Sequence, residues 1–262
     1  MSVNITSAQN PRIKAINKLK TKKIRNETGL GVIEGERIIF DAIKQNIRFE
    51  TIVVVEEFEN KFKDLIKTSA CNNVLVLPKS LFNTISSTEN SQGILAVVEI
   101  KDRVFELPKN NFLVLDGIQD PGNLGTIIRT AVALNFKDIY LFNCVDFRND
   151  KVLRATMGTI FKANLFILNE DKLSILSEKS ILLLADVSGE PLKKFKPNTS
   201  NFGIILCNEG NGPSKQVLSI KSKKIAIEMT NDVESLNVSS AGAILMYELS
   251  WEKTLDEITF FW

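Results

Sequence analysis

Short apolar runs alternate with stretches of helical periodicity along the whole chain, in two blocks separated by one polar, proline-containing stretch. In the first block, Asn10-Pro11 marks a helix start, with Asn as cap and Pro at the first helical position. Ile13, Ile16 and Leu19 then recur at helical spacing. "GVIEGERIIFDAIKQN" predicts a strand and a helix that buries Ile38, Ile39, Ala42 and Ile43. "TIVVV", "NVLVL" and "GILAVVEI" predict strands, with helices over "FENKFKDLIKTSA" and "PKSLFNTI" between them. The outcome is a small α/β domain over residues 1–100. "KDRVFELPKN", residues 101–110, is the expected linker.

The alternation restarts over residues 111–262. Strands are predicted at "FLVLD", "DIYLFN", "NLFIL", "ILLLA", "FGIILC" and "KKIAIEM". Helices are predicted over Asn123–Asn135, Lys151–Met157, Asp171–Glu178, Pro213–Leu218 and Val238–Leu249. Continuously apolar strands suit a parallel sheet covered by helices on both faces. On pattern alone, a nucleotide-binding Rossmann domain is the default for this half.

Composition adds limits. A chain of 262 residues exceeds the usual single-domain size, and its 44% hydrophobic and 24% charged residues are those of an ordinary soluble protein. The opening "MSVNITSAQN" has no apolar segment of a secretory signal, and no run is long enough to span a membrane. Cys71, Cys144 and Cys207 stand far apart, which points to buried thiols in the cytoplasm rather than disulfides or metal ligands. The chain has no histidine, which excludes Ser-His and Cys-His catalysis and any imidazole ligand or base.

The net charge of +2 hides an asymmetry. The first 27 residues hold seven basic side chains, Arg12, Lys14, Lys18, Lys20, Lys22, Lys23 and Arg25, against the single acid Glu27. This is either a solvated helix face or a phosphate-binding arm.

Neither standard phosphate loop occurs, yet "DGIQDPGNLGTIIRTA" follows a predicted strand. In a helix begun near Asn123, Gly122, Gly125 and Arg129 share one face, leaving a shelf over which a fork of donors reaches. A tight turn with a surface arginine is the plain alternative. "LCNEGNGP" again follows a strand and surrounds one acid, Glu209, with glycines. "SLNVSSAGA" opens the final helix with Ser235 and Asn237 as natural caps. In an open α/β sheet, such loops at strand C-terminal ends converge on one edge.

These three segments, in this order, resemble the motifs of the SpoU (TrmH-type) RNA 2′-O-ribose methyltransferases of the SPOUT superfamily. "RATMGTIFK", which contains Arg154, resembles the segment between the first two. "ITSAQNPRIKAINKL", "VIEGERIIFDAI" and "SQGILAVV" resemble the N-terminal substrate-binding domain of the rRNA-directed branch. The resemblance implies a trefoil-knotted catalytic domain and an L30e-like N-terminal domain, which replaces the Rossmann default. It also implies S-adenosylmethionine bound largely by backbone groups around Ala185, Cys207, Asn208, Gly210, Ile227, Met229 and Leu236. Cys207 departs from the family, where glycine is usual. The implied reaction methylates a ribose 2′-hydroxyl of RNA, with ribosomal RNA favoured over transfer RNA, and needs no metal.

Arg129 is then the first candidate for the reactive centre, with Asn123, Ser235 and Asn237 positioning the ribose and loops. The family has been discussed as using this arginine as a base. A guanidinium resists deprotonation, so a cationic clamp on phosphate and developing alkoxide is the conservative role. Glu209 either orients the arginine or accepts the proton. Basic contacts to RNA are expected from the seven N-terminal cations and Arg154. Competing classes are a non-enzymatic RNA-binding protein, a base methyltransferase and a dehydrogenase, the last lacking its glycine fingerprint. The final helix is apolar around more of its circumference than a one-faced helix requires, and the resemblance pairs it with the first motif helix in a homodimer.

Overall fold

The computed structural model describes residues 2–194, 201–208, 210–230 and 234–250. They form two compact units, one of residues 1–101 with 146–162 and the other of residues 102–145 with 163–262.

The first unit holds β1 (Ser2–Asn4), α1 (Pro11–Lys18), α2 (Lys22–Thr28), β2 (Leu30–Glu34), α3 (Glu36–Lys44), β3 (Phe49–Val55), α4 (Lys63–Thr68), β4 (Val74–Leu77), α5 (Lys79–Ile85) and β5 (Ile94–Glu99). Its mixed sheet runs β1-β4-β3-β5-β2. β4 is parallel to β1 and β3, and β5 is antiparallel to β3 and β2. Asn10 caps α1 as expected, its side chain accepting from the Arg12 N–H at 2.9 Å. Ile13, Ile16 and Leu19 pack with Leu75, Phe82 and Leu95 in one core.

One local prediction needs correction, and two features lie outside the sequence reading. The polar opening forms β1, an edge strand whose three residues are all exposed, so no burial pattern marks it. The helix expected over "FENKFKDLIKTSA" shrinks to α4, because Glu56–Phe58 turns as a 3₁₀ segment first. The basic arm is built of two helices, α1 and α2, and α2 ends on Gly29 in the left-handed conformation.

The second unit holds β6 (Phe112–Asp116), α6 (Pro121–Ala133), β7 (Asp138–Phe142), β8 (Asn164–Ile167), α8 (Glu170–Lys179), β9 (Ile181–Pro191), β10 (Phe202–Cys207), α9 (Lys215–Ser219), β11 (Lys223–Ala226) and α10 (Val238–Ser250). Every pairing in its six-stranded sheet, β11-β9-β10-β6-β7-β8, is parallel. Tyr140 stacks on Phe166 at 4.7 Å and meets Phe112 edge-on at 5.4 Å in the core of one face. All six predicted strands are present, and each predicted helix of this half has its counterpart.

The segment 101–110 is not a free linker. From Asp102 onward it belongs to the second unit: Arg103 N–H donates to Leu165 O at 2.8 Å and the Tyr140 hydroxyl donates to Glu106 O at 2.8 Å. Conversely, α7 (Asp150–Ala155) lies within the second block of sequence yet packs on β2 in the first unit. The alternation of strand and helix cannot reveal such an exchange, because it carries no information about which sheet a helix covers. Among the described residues, no helix is long and apolar enough to cross a membrane, and no group of three His, Cys, Asp or Glu could hold a metal.

Candidate functional site

The middle of β9 and the C-terminal ends of β10 and β11 surround a cavity of about 330 Å³, closed by the start of α10. In an open parallel sheet this is the edge at which ligands bind. Ala185, Cys207, Asn208, Ile227, Met229 and Leu236 line it, together with Ser235. Its apolar wall includes Leu206, Ile225 and Leu245. The acids Asp186 and Glu234 are on the wall, and among the described residues no lysine or arginine is.

The cavity exists because β9 leaves the sheet. β11 pairs with Leu183 and Leu184 and then with Glu190 and Pro191, so the intervening residues loop outward. Gly189 permits the return, since a Cβ there would lie 2.5 Å from the Ile225 backbone nitrogen. Lys224 Nζ holds the excursion through Asp186 at 2.8 Å. With that contact and the Ser188 hydroxyl and N–H, Asp186 is pulled down to about 2. Asp186 and Lys224 escape sequence reasoning because they stand on different strands, and no local pattern encodes the break in β9 that brings them together.

Asn208 fastens the second loop to the first. Its Nδ2 donates to Gly117 O at 3.0 Å, and its Oδ1 accepts the N–H groups of Gly210 and Asn211 at 2.9 and 3.1 Å. Gly210 therefore belongs to the turn that Asn208 organises and is not on the cavity wall, contrary to its expected contact. Asp116, the buried last residue of β6, accepts the Ser214 N–H at 2.7 Å and anchors the far end of the same loop. Glu209 lies outside the described residues.

Burial pushes the Cys207 thiol up, and the neighbouring Asp116 carboxylate adds to the shift. The side chain packs against the core cluster of Phe112, Tyr140 and Val217. Burial likewise raises Cys144, to about 12.

α6 begins at Pro121, slightly before the expected start near Asn123, and Asp120 caps it by accepting the Asn123 N–H at 2.8 Å. Two residues of the third motif meet two regions: Ser235 the cavity, and Asn237 the side chain of Asn123 at 3.0 Å. Arg129 is exposed on α6 and does not line the cavity. It borders a separate open groove of about 500 Å³ between α6 and α10, with Leu134, Ile244 and Tyr247 among the walls. The glycine shelf predicted beneath it is only half open: Gly122 is exposed, but Gly125 is buried where α6 packs.

Arg12, Lys14, Lys18, Lys20, Lys22 and Lys23 are exposed. Arg25 is not available to RNA. It is buried, its Nε pairs with Asp146 Oδ2 at 2.6 Å, and Nη1 donates to Leu19 O and Lys20 O at 2.9 Å each. A basic run in sequence does not distinguish an inward arginine from its outward neighbours. Arg154 is half-buried and engaged with Asp150 at 3.4 Å and Ser87 O at 3.1 Å.

A parallel α/β domain with two motif loops around a cavity at its strand ends, and a third hydrogen-bonded to both, is a ligand-binding enzyme architecture. The description "SpoU rRNA Methylase family" matches residues 110–247, and "MRM3-like substrate binding domain" matches residues 10–96. The chain belongs to the SpoU rRNA methylase family. It is similar to the 23S rRNA (guanosine(2553)-2′-O)-methyltransferase RlmP of Bacillus subtilis, 32% identical over 250 residues that cover 94% of this chain and 98% of that one. An rRNA methyltransferase structure from Sinorhizobium meliloti superposes with TM-score 0.83 at 25% identity, over 94% of this chain and 96% of that one. The AdoMet-bound form from the same organism shares the fold, with TM-score 0.84 at 24% identity and coverage of 94% and 97%.

Proposed function

We propose that this chain, an RNA 2′-O-ribose methyltransferase, methylates 23S-type ribosomal RNA, and that the cavity between the middle of β9 and the ends of β10 and β11 is its S-adenosylmethionine site. The observation that carries the reading is the convergence of Ala185, Cys207, Asn208, Ile227, Met229 and Leu236 on one wall. The donor set fits the cofactor: an apolar floor for a purine, backbone groups for its edges, and two acids, with no cation among the described lining residues, around a positively charged sulfonium. When bound, that cofactor supplies an electrophilic methyl group.

The chain's own residues would align and activate the ribose. Asn237 and Asn123 hold the start of α10 against the start of α6, and Ser235 projects from the same loop into the cavity region. We assign Arg129 to the RNA phosphate and the developing alkoxide, where a fixed fork of donors stabilises charge that appears only in the transition state. Arg129 borders the α6–α10 groove rather than the cavity, and that placement favours a homodimer in which this groove is the interface and the reactive centre forms beside it. Glu209 remains the proposed proton acceptor. Lys18, Lys20, Lys22 and Lys23, with Arg12 and Lys14, would supply sequence-independent contacts to phosphates. We place the enzyme in the cytoplasm with its ribosomal substrate.

The test is transfer of labelled methyl groups from S-adenosylmethionine into total RNA, followed by mapping of 2′-O-methyl positions. Label in a ribosomal RNA ribose supports the reading; label confined to transfer RNA moves the substrate; no label with a bound cofactor removes the catalytic assignment.

A further inference from the structure

A second cavity, of about 270 Å³, lies wholly within the first unit, far from any of the three glycine motifs in sequence. Its walls come from the β2–α3 junction, the loop after α5, and the turn after α7. Glu34 is on the wall, but its carboxylate is fully occupied. Oε1 accepts the hydroxyls of Ser86 and Thr88 at 2.6 Å each, and Oε2 accepts the Ser87 N–H at 3.1 Å and its hydroxyl at 3.4 Å. A carboxylate has about four acceptor sites, so Glu34 is spent on shaping the loop rather than on a ligand. Burial alone would raise it, yet these bonds outweigh burial and hold it below the usual carboxylate range. Arg154 is likewise spent, on Ser87 and Asp150.

What remains free faces the cavity. Among the described residues, neither Arg37 nor the Asn90 side chain has a hydrogen bond or ion pair. Gln92 uses only Oε1, accepting the Glu36 N–H at 2.8 Å, which leaves its amino group to donate. Met157 presents an apolar side chain that is 43% exposed, from a backbone with φ of 50°. That conformation is costly for a residue with a Cβ, and the next residue, Gly158, also has positive φ, with Asp41 so close that a Cβ would lie 2.6 Å from its Oδ2. The turn is thus fixed, and it holds a methionine in water at the cavity mouth.

An exposed thioether, one free amide, the free amino group of a second and one free guanidinium match a nucleobase with its phosphate: an apolar face, a hydrogen-bonding edge and a negative charge. Lys20, in the turn between α1 and α2, donates from Nζ to Thr84 O at 3.0 Å near the end of α5, from which the lining loop continues. We propose that this cavity holds one unstacked nucleotide of the RNA substrate, its base against Met157, its edge read by Asn90 and Gln92, and its phosphate met by Arg37. The proposal rests on the RNA methyltransferase reading. It adds a recognition point that is separate from the reacting ribose, and it requires single-stranded RNA there.

The experiment uses the full chain with Arg37→Gln and Met157→Asn combined. Asparagine tolerates positive φ, so the second change relieves the turn while removing the apolar platform. Affinity is read by anisotropy for a labelled single strand of about ten nucleotides and for the same strand in a duplex. Expected are an about tenfold loss on the single strand, a salt slope smaller by about one, and a duplex affinity changed less. Cofactor affinity and thermal stability are expected to be retained. Single-strand binding within about twofold of wild type, or equal losses on single strand and duplex, overturns the nucleotide pocket. Wild-type protein that methylates RNA while the variant binds normally removes this proposal alone; wild-type protein that neither binds nor methylates RNA removes the reading beneath it.

Discussion

Asn237 Nδ2 donates to Asn123 Oδ1 at 3.0 Å, joining the N-terminus of α10 to that of α6. The amide cannot turn over, because Asn237 Oδ1 already accepts the Ser239 N–H at 3.0 Å and its hydroxyl at 2.5 Å. One side chain therefore caps the last helix and fixes its distance from the first motif. Replacing Asn237 by Asp keeps the cap but sets an acceptor against the Asn123 oxygen, so methyl transfer should fall well beyond any loss of stability. Replacing it by Ala removes the cap too, with a stability loss of about 1 kcal/mol. Calorimetry and methyl transfer on both variants separate the effects; equal activity in Asn237→Asp and wild type contradicts the positioning role.

Strand positions and the order of the motifs were legible because each depends on local residues: apolar runs such as "FLVLD" and caps such as Asn10 and Asn237. The cavity wall was legible through family resemblance alone, since nothing in the spacing of Ala185, Cys207 and Ile227 brings them together. Three features were not legible. Asp186 meets Lys224 only because β9 leaves the sheet. Arg25 points inward because it has a buried partner 121 residues later. Residues 146–162 join the first unit through packing on β2, which depends on tertiary contacts rather than local propensity.

Arg25 and its neighbours should separate into two kinds of mutant. Asp146 binds Arg25 at 2.6 Å and also accepts the Arg148 N–H at 3.0 Å, all within a buried cluster. Asp146→Ala strands buried cations and should destabilise the protein by about 3–5 kcal/mol. Neutralising exposed Lys18, Lys22 and Lys23 should leave the melting temperature nearly unchanged and lower the salt slope of RNA binding by about two to three. A salt slope that does not move returns those lysines to a solvated face.

Cys207 offers a test of how the cavity meets its ligand. Its thiol is raised by burial and its side chain packs on the core, so it stays protonated at neutral pH and should react slowly with iodoacetamide. The rate should still be climbing with pH where an ordinary thiol, at about 8.5, has already levelled off, and it should fall when S-adenosylmethionine is present. Cys207→Gly should cost stability through lost packing, while cofactor affinity measured by calorimetry changes little. A large loss of affinity shows instead that the sulfur, not the backbone, meets the cofactor.

Asp186 should give the molecule an acid-sensitive region. Its carboxyl is lowered to about 2 by Lys224 and Ser188, against an ordinary value of 3.8. A depressed folded-state value contributes stability that is present above about pH 4 and lost as pH falls through about 2. Asp186→Asn should flatten the dependence of thermal stability on pH across that window relative to wild type, and weaken cofactor binding at pH 7 by loosening the excursion of β9. Parallel pH profiles for the two proteins contradict the assignment.

The α6–α10 groove leads to an expectation about assembly. Buried Leu245, Met246 and Leu249 face the domain's interior, whereas Ile244 and Tyr247 are 39% and 47% exposed on another side of α10. Ala133 and Leu134 of the α6 side complete an apolar surface with them. An apolar face of this kind beside Arg129 suits a second copy, because a two-fold pairing would cover both grooves and bring two arginines to the interface together. Full-length protein should sediment as a dimer at micromolar concentration. Ile244→Asp sets an uncompensated charge in the contact and should yield a folded monomer, with its circular dichroism retained and methyl transfer lost. Wild-type protein that remains monomeric yet active contradicts the interface. A dimer that survives Ile244→Asp places the contact elsewhere, and Arg129 would then have to act without a neighbouring subunit.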